Sequence, residues 1–445
     1  MNSLRRLGYL SARRAAFGVA ALTMVMVLFF IMAMVAAYTN RNLLYEQRMS
    51  INSFRATAAM SAADAGIDWA IAMLGGARVD ADCVAPVAPV AADIDFRSRY
   101  TILQADGSYT IPKWGPLLDR VFTPSCVLTN AGWSCKCPDL AGPLPTLAYP
   151  SKSAPIFAVE ITATGAPGVL RVDAFGSHES SRAMSFGMFG NYNRLRVNLG
   201  LARALPVPPV AALTAGNAIA MVPPATALRV SNADPKTGVT VHAGNAITAT
   251  NTLLLGPAGS VSTTSVPPDA ALLGLSTEAA PLATTFQPTT FPSWHLFLTL
   301  FGMDAVTFSR QPAATFVDCT GGCTSASIAT VVANNPGRIV WIEGNIDLDN
   351  AGTLGTATQP LMMVASGDIT LSAQVAINGF LYGRDILWQA SAAGSVVRGA
   401  MVASRDFQGA SAVSVAYDAD IIQRISLSYG SFVRVPGSWQ VVPTR

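Results

Sequence analysis

At 445 residues the chain is long enough for two or three domains with a sizeable core. Charged residues make up only 12% of it, about half the usual ~25% share, so Thr, Ser, Asn, Gly and Ala must cover most of the surface, as suits an extracytoplasmic β-rich body. The net charge is +3 and the excess is local, in Arg5, Arg6, Arg13 and Arg14; the near-neutral remainder excludes the clustered basic face that a nucleic-acid partner needs.

The first element is an apolar run from Ala15 to Asn40 with no charge in it. A helix rises about 1.5 Å per residue and the hydrocarbon core is about 30 Å thick, so this run spans a bilayer with length to spare. Four arginines precede it, against Arg41, Glu46 and Arg48 after it, which predicts a cytoplasmic N-terminus. The competing reading is a secretory signal peptide, but its apolar region is shorter and ends at a small-residue cleavage site. Here the run continues into an amphipathic helix instead. Ile51, Phe54, Ala58, Ala62, Ala65, Trp69 and Met73 fall at steps of three or four, one helical face. No proline interrupts Val19 to Met73, and Gly75-Gly76 supplies a stop. The expectation is one continuous helix, half in lipid and half laid against a soluble domain.

Arg14-Ala15-Ala16-Phe17-Gly18-Val19-Ala20-Ala21-Leu22, followed by the apolar run, resembles the N-terminus of PilX-type minor pilins of type IV pilus systems. Glu46-Gln47-Arg48-Met49, Asn52, Arg55 and Ser61-Ala62-Ala63-Asp64-Ala65-Gly66 are similar to their juxtamembrane signature. The resemblance implies removal of the basic leader by prepilin peptidase after Gly18, leaving Val19 as the mature N-terminus. Two positions depart from the major-pilin pattern: Thr23 stands where those carry Glu, and Val19 where they carry Phe. Such a helix can exchange lipid for similar helices in a fibre at little hydrophobic cost. Ala20, Ala21, Ala33, Ala36 and Ala37 would permit close helix approach.

From Pro155 to Phe189 the sequence predicts a β-meander: Ile156–Thr164, Val169–Phe175 and Arg182–Phe189. Its middle strand alternates Leu170, Val172 and Ala174 with Arg171 and Asp173. The resemblance implies that this sheet packs on the Phe54–Met73 face of the helix. His178-Glu179 falls in a turn with no third catalytic partner in view. Pro206, Pro208 and Pro209 mark a boundary. Beyond it Gly216-Asn217-Ala218-Ile219 reappears as Gly244-Asn245-Ala246-Ile247. Four later segments align on Asn345, Asp368, Asp385 and Asp406, each followed by Ile346, Ile369, Ile386 or Phe407. Columns of like residues are what stacked β-solenoid rungs produce, although the spacing is uneven and a β-sandwich is the alternative. Leu296–Met303, Cys319-Thr320-Gly321-Gly322-Cys323, Arg338–Gly344 and Pro436-Gly437-Ser438-Trp439 look like landmarks of the large PilX-like assembly proteins. Ser293-Trp294-His295-Leu296 opens a short helix ending near Gly302.

The six cysteines, Cys83, Cys126, Cys135, Cys137, Cys319 and Cys323, all follow the span, on the oxidising side of the predicted topology. Cys135 and Cys137 are too close to pair with each other, so each is expected to bond Cys83 or Cys126. Cys319 and Cys323 share one loop and are natural partners. Metal binding is disfavoured, with His178, His242 and His295 isolated. Asp347, Asp349, Asn350 and Gly352 are reminiscent of a calcium loop, but Ala351 occupies a ligand position and no Glu closes it. A polar corner is the better reading. No hydrolase, zinc-protease or phosphate-loop motif occurs.

The expected fold class is therefore α+β. Residues 1–18 form a leader, 19–75 a pilin-like helix, and 76–205 a meander headgroup. Residues 206–445 form a mainly-β, solenoid-like domain with a helical insert near 293–303. The expected function is a minor pilin-like component, without catalysis or cofactor, that enters or primes a type IV pilus fibre and presents its β-domain near the tip. Its expected partners are the inner membrane, other major and minor pilins, prepilin peptidase and a PilY-type tip adhesin. It would be single-pass, with its body periplasmic. A membrane-tethered scaffold that never enters a filament is the alternative, and a polysaccharide-acting enzyme the third reading.

Overall fold

The computed structural model describes residues 8–443 except 77, 85, 87–93, 113–123, 138–153, 179–191, 224–225, 237–238, 245–246, 250, 256–260, 263–293, 350–351 and 390–394; for 8–20, 94, 251–255, 261–262 and 294–295 only the backbone is described. Helix α1 runs unbroken from Gly8 to Gly75 over 68 residues. At 1.5 Å per residue it is about 100 Å long. Its second half lies across an antiparallel sheet, and a larger parallel stack follows.

The antiparallel sheet is the meander. Ile156–Ala163 pairs with Val169–Ser177, which pairs with Asn193–Arg203, while Ser125–Thr129 and Gly132–Lys136 extend the other side. The third meander strand is thus Asn193–Arg203; the strand expected at Arg182–Phe189 lies outside the described residues. Alternation predicted the middle strand well: Leu170, Val172 and Ala174 are fully buried in one core with Phe157, Leu195, Val197 and the helix. The far edge corrects the expected domain boundary. Gly430–Arg434 and Gln440–Val442, assigned from sequence to the 206–445 domain, pair antiparallel with Asn193–Arg203 and complete the headgroup sheet. The chain leaves this sheet at Arg203 and returns to it at Gly430.

Between those points, strands stack in parallel and in register. Ile346 pairs with Ile369, Ile369 with Ile386, Ile386 with Phe407, Phe407 with Ile219, and Ile219 with Ile247. These are the columns seen in the sequence, now one six-stranded sheet. Every pairing in this sheet is parallel. A second, larger sheet bends around the stack, and at the bend Gly379 pairs with Gly399. Gly399 has φ +128°, and a Cβ on it would meet the Gly379 carbonyl oxygen at 1.9 Å, so only glycine fits both the backbone and the space.

The stacking order is not the chain order. Ala211–Ala215, Ile219–Met221 and Ala227–Asn232 lie against strands of the last rung, within Val396–Ala403, Phe407–Gly409 and Val413–Tyr417. Val239–Ala243 and Asn251–Leu255 stack outside them. The interior is aliphatic, with Trp388 and Phe407 fully buried. Helices Trp294–Phe301 and Ala419–Ser428 cover the outer side through Phe297, Phe301, Ile421 and Ile425, which pack on Trp341, Phe380 and Tyr382.

Candidate functional surface on the N-terminal helix

Helix α1 has two halves of different exposure. Every residue from Ala21 to Thr57 is exposed. This includes Phe29 at 73% and Phe30 at 77%, which no water-soluble surface would present as a continuous stripe. The stretch Ala21–Gly75 contains a window apolar enough to cross a membrane, and none of that window is buried inside the protein. Thr39 turns its hydroxyl back to the Val35 carbonyl oxygen at 2.9 Å, so this polar residue near the end of the run is satisfied within the helix.

Burial begins at Ala58. The predicted face is displaced by about one residue: Ile51 and Phe54 are exposed, Ala58, Ala65, Trp69 and Met73 are half-buried, and Ala62 alone of the set is buried. The centre of contact is Ala59, Ala63, Gly66, Ile67, Ala70 and Leu74. The cause is close backbone approach. A Cβ on Gly176 would lie 2.0 Å from the Ala59 carbonyl oxygen and 2.4 Å from the Ala63 nitrogen, and one on Gly66 would lie 3.0 Å from the Phe157 ring. Small residues on both partners let helix and sheet touch, while Trp69 flanks the seam edge-on to Phe96 at 5.4 Å. Phe54 meets the His178 ring edge-on at 5.6 Å; Glu179 lies outside the described residues.

Polar clamps hold this seat. Asn193 Nδ2 donates to the Ala56 carbonyl at 2.8 Å. Arg434 Nη2 donates to Asp68 at 2.6 Å and Asp64 at 3.3 Å. At the helix end, Arg97 donates twice to the Leu74 carbonyl at 3.0 and 2.9 Å, and Arg338 Nη1 donates to the Gly75 carbonyl at 2.7 Å. Cations at a helix C-terminus oppose the negative end of its dipole. Burial and the nearby Arg97 charge push the Arg338 guanidinium down to about 10. Beneath the sheet, the buried Asp173 carboxylate accepts from Arg194 Nε and Arg196 Nε at 3.0 and 2.8 Å. Asn193, Arg97 and Arg434 are absent from the sequence prediction, which places Gly176 in the turn after the second meander strand and names Arg338 only as the start of a landmark stretch. Only Gly176, a glycine inside a strand, carries a local signal.

Two of the three disulfides lie in the core that seats the helix, and the third belongs to the parallel stack. Cys83 bonds Cys137, and Cys126 bonds Cys135 across a strand pair with 4.0 Å between Cα atoms. Cys319 bonds Cys323 in its own loop. Asp347 and Asp349 are engaged with hydroxyls, accepting from Ser372 at 2.6 Å and from Ser325; Asn350 lies outside the described residues. Gly18 and Val19 are within α1, where the backbone alone is described.

Residues 18–68 match the family described as PilX N-terminal. No curated protein is significantly similar to the chain. One solved structure with some likeness is a DUF3494 domain of an ice-binding protein from Shewanella frigidimarina. It shows 13% identity and a TM-score of 0.19, over 48% of this chain and 98% of that one. Another is the competence-associated pilin ComZ from Thermus thermophilus, with 10% identity and a TM-score of 0.19, over 87% of this chain and 96% of that one. At those scores neither likeness bears on fold or function.

Proposed function

We propose, starting from a chain whose N-terminal segment is PilX-type, that it is a minor pilin-like component which enters or primes the fibre of a type IV pilus. The observation that carries this is one unbroken helix that is exposed from Ala21 to Thr57, apolar at the start of that stretch, and fixed to a folded body beyond it. A pure anchor needs only the span. A helix that runs rigidly from the span into a headgroup core transmits position from one to the other, as a subunit sliding from bilayer to fibre requires. The leader arginines support a cytoplasmic N-terminus and a periplasmic body. Gly18-Val19 is the processing point for prepilin peptidase, and other pilins and a PilY-type adhesin are the partners. The parallel stack, a β-solenoid in this reading, is bulky for a repeated position within a fibre and unobstructed at its tip. The role is non-catalytic.

The test is surface piliation in a deletion strain with retraction left active, together with the protein's abundance in sheared pili and sequencing of its mature N-terminus. Lost or sparse fibres, the protein present in them, and a Val19 N-terminus are expected. Normal fibres that lack the protein would replace this reading with the membrane-tethered scaffold, and cleavage beyond Ala37 would remove the pilin reading altogether.

A further inference from the structure

Where α1 ends, the helix, the headgroup and the parallel stack line an open cavity of about 280 Å³. Its wall carries three guanidinium groups, Arg97, Arg338 and Arg424, and one carboxylate, Asp95, which leaves two positive charges in excess. Asp95 is engaged, capping the helix Phe96–Tyr100 by accepting from the Ser98 nitrogen at 2.9 Å. Arg97 and Arg338 spend their hydrogen bonds on neutral acceptors: the carbonyls of Leu74, Ser428 and Gly430 for one, and those of Gly75, Pro312 and Ala314 with the Thr315 hydroxyl for the other. Among the described residues neither takes part in an ion pair. Both are half-buried, and charges withdrawn from water are ordinarily matched by opposite charge.

A second observation is independent of charge. Tyr109 also lines the cavity, is only 3% exposed, and its hydroxyl lies near the Arg97 guanidinium without making a hydrogen bond of good geometry among the described residues. A buried hydroxyl without a well-formed hydrogen bond costs free energy unless a ligand completes it. We infer that this junction cavity binds a small divalent oxoanion, taking its charge from Arg97, Arg338 and Arg424 and a hydrogen bond from Tyr109. The bound anion would tie the helix end to both domains at once. The inference does not depend on the pilus reading.

Inorganic phosphate is the probe, titrated calorimetrically into the full chain in detergent at neutral pH, with acetate and with chloride of equal ionic strength as comparisons. Saturable one-to-one phosphate binding that weakens with added salt is expected. Tyr109→Phe should weaken it about tenfold without lowering the Tm, because the hydroxyl has no well-formed hydrogen bond to lose. Arg424→Gln, at the exposed rim, should weaken it about fivefold and flatten its salt dependence. Arg338→Gln also disturbs the helix seat and is not used. Absence of saturable phosphate binding, acetate binding as tight as phosphate, or a Tyr109→Phe variant that binds like the parent or melts earlier would each overturn the assignment.

Discussion

At Gly176 a single hydrogen decides whether helix and sheet can meet. The Cβ of an alanine would sit 2.0 Å from the Ala59 carbonyl oxygen and 2.4 Å from the Ala63 nitrogen, both backbone atoms that cannot rotate away. Gly176→Ala should therefore push α1 off its sheet and destabilise the headgroup by about 1–3 kcal/mol, in the range of overpacked cores. Denaturant unfolding followed by Trp69 fluorescence measures it; an unchanged midpoint would show that the seam is looser than these distances. Ile67→Ala, at a fully buried position, should cost about 2–5 kcal/mol. Phe54→Ala, at a residue 65% exposed, should change stability by no more than about 0.5 kcal/mol. This contrast also explains what could be read in advance. Periodicity located the helical face to within one residue because seven apolar positions repeat at the right steps. It was drawn toward the large side chains Phe54, Trp69 and Met73, whereas the seam is built of Ala59, Ala63 and Gly66. Small residues carry little hydrophobic signal, and their meaning depends on a partner, Gly176, more than a hundred residues away.

At the scale of one rung, the corner residues form a ladder. The Asp368 nitrogen donates to Asn345 Oδ1 at 2.9 Å, the Asp385 nitrogen to Asp368 Oδ1 at 3.3 Å, and the Asp406 nitrogen to Asp385 Oδ1 at 3.1 Å. Each side-chain oxygen thus fixes the register of the next turn, and Arg384 adds two bonds of 2.8 Å to Asp368. That repeated task is why the same residue type recurs, and why the columns were legible. The order of the rungs was not, because stacking of Ala211–Ala215 on Val396–Ala403 leaves no mark on local spacing. The hydrogen bonds from Arg384 hold the Asp368 carboxyl below its usual range. For an acid depressed in the folded state, the stabilisation is present above the unfolded value, about 3.9, and is lost as pH falls through the folded one. Asp368 is partly exposed, so screening reduces the effect to a few tenths of a kcal/mol. Asp368→Asn should lower the Tm at pH 7 and approach the parent's Tm as pH drops below about 4. A constant gap between the two melting curves across that window would show that this carboxylate's charge contributes nothing.

For the whole molecule, the decisive feature is that the chain closes on itself. Asn193–Arg203 is paired on one side by Val169–Ser177 and on the other by Gly430–Arg434 and Gln440–Val442. Removing residues 430–445 would leave that strand with an open edge and take the buried Phe432 out of the headgroup core, where it faces Tyr109 at 5.8 Å. Arg97 would lose the Gly430 carbonyl, and Asp64 and Asp68 would lose Arg434. The parallel stack would lose much less, since its interior core contains no residue from that segment. Hydrogen exchange should therefore show protection retained at Ile369, Ile386 and Phe407 and lost at Ala63, Ile67 and Leu74, so that a distant strand governs how firmly the N-terminal helix is held. Arg434→Ala separates the two contributions: it removes only exposed ion pairs, worth between nothing and about 1 kcal/mol, and should leave helix protection nearly intact. Equal protection of Ala63–Leu74 with and without residues 430–445 would mean that the helix is seated by the meander alone. Loss of protection in Arg434→Ala as deep as in the truncation would move the cause from strand pairing and Phe432 to the ion pairs.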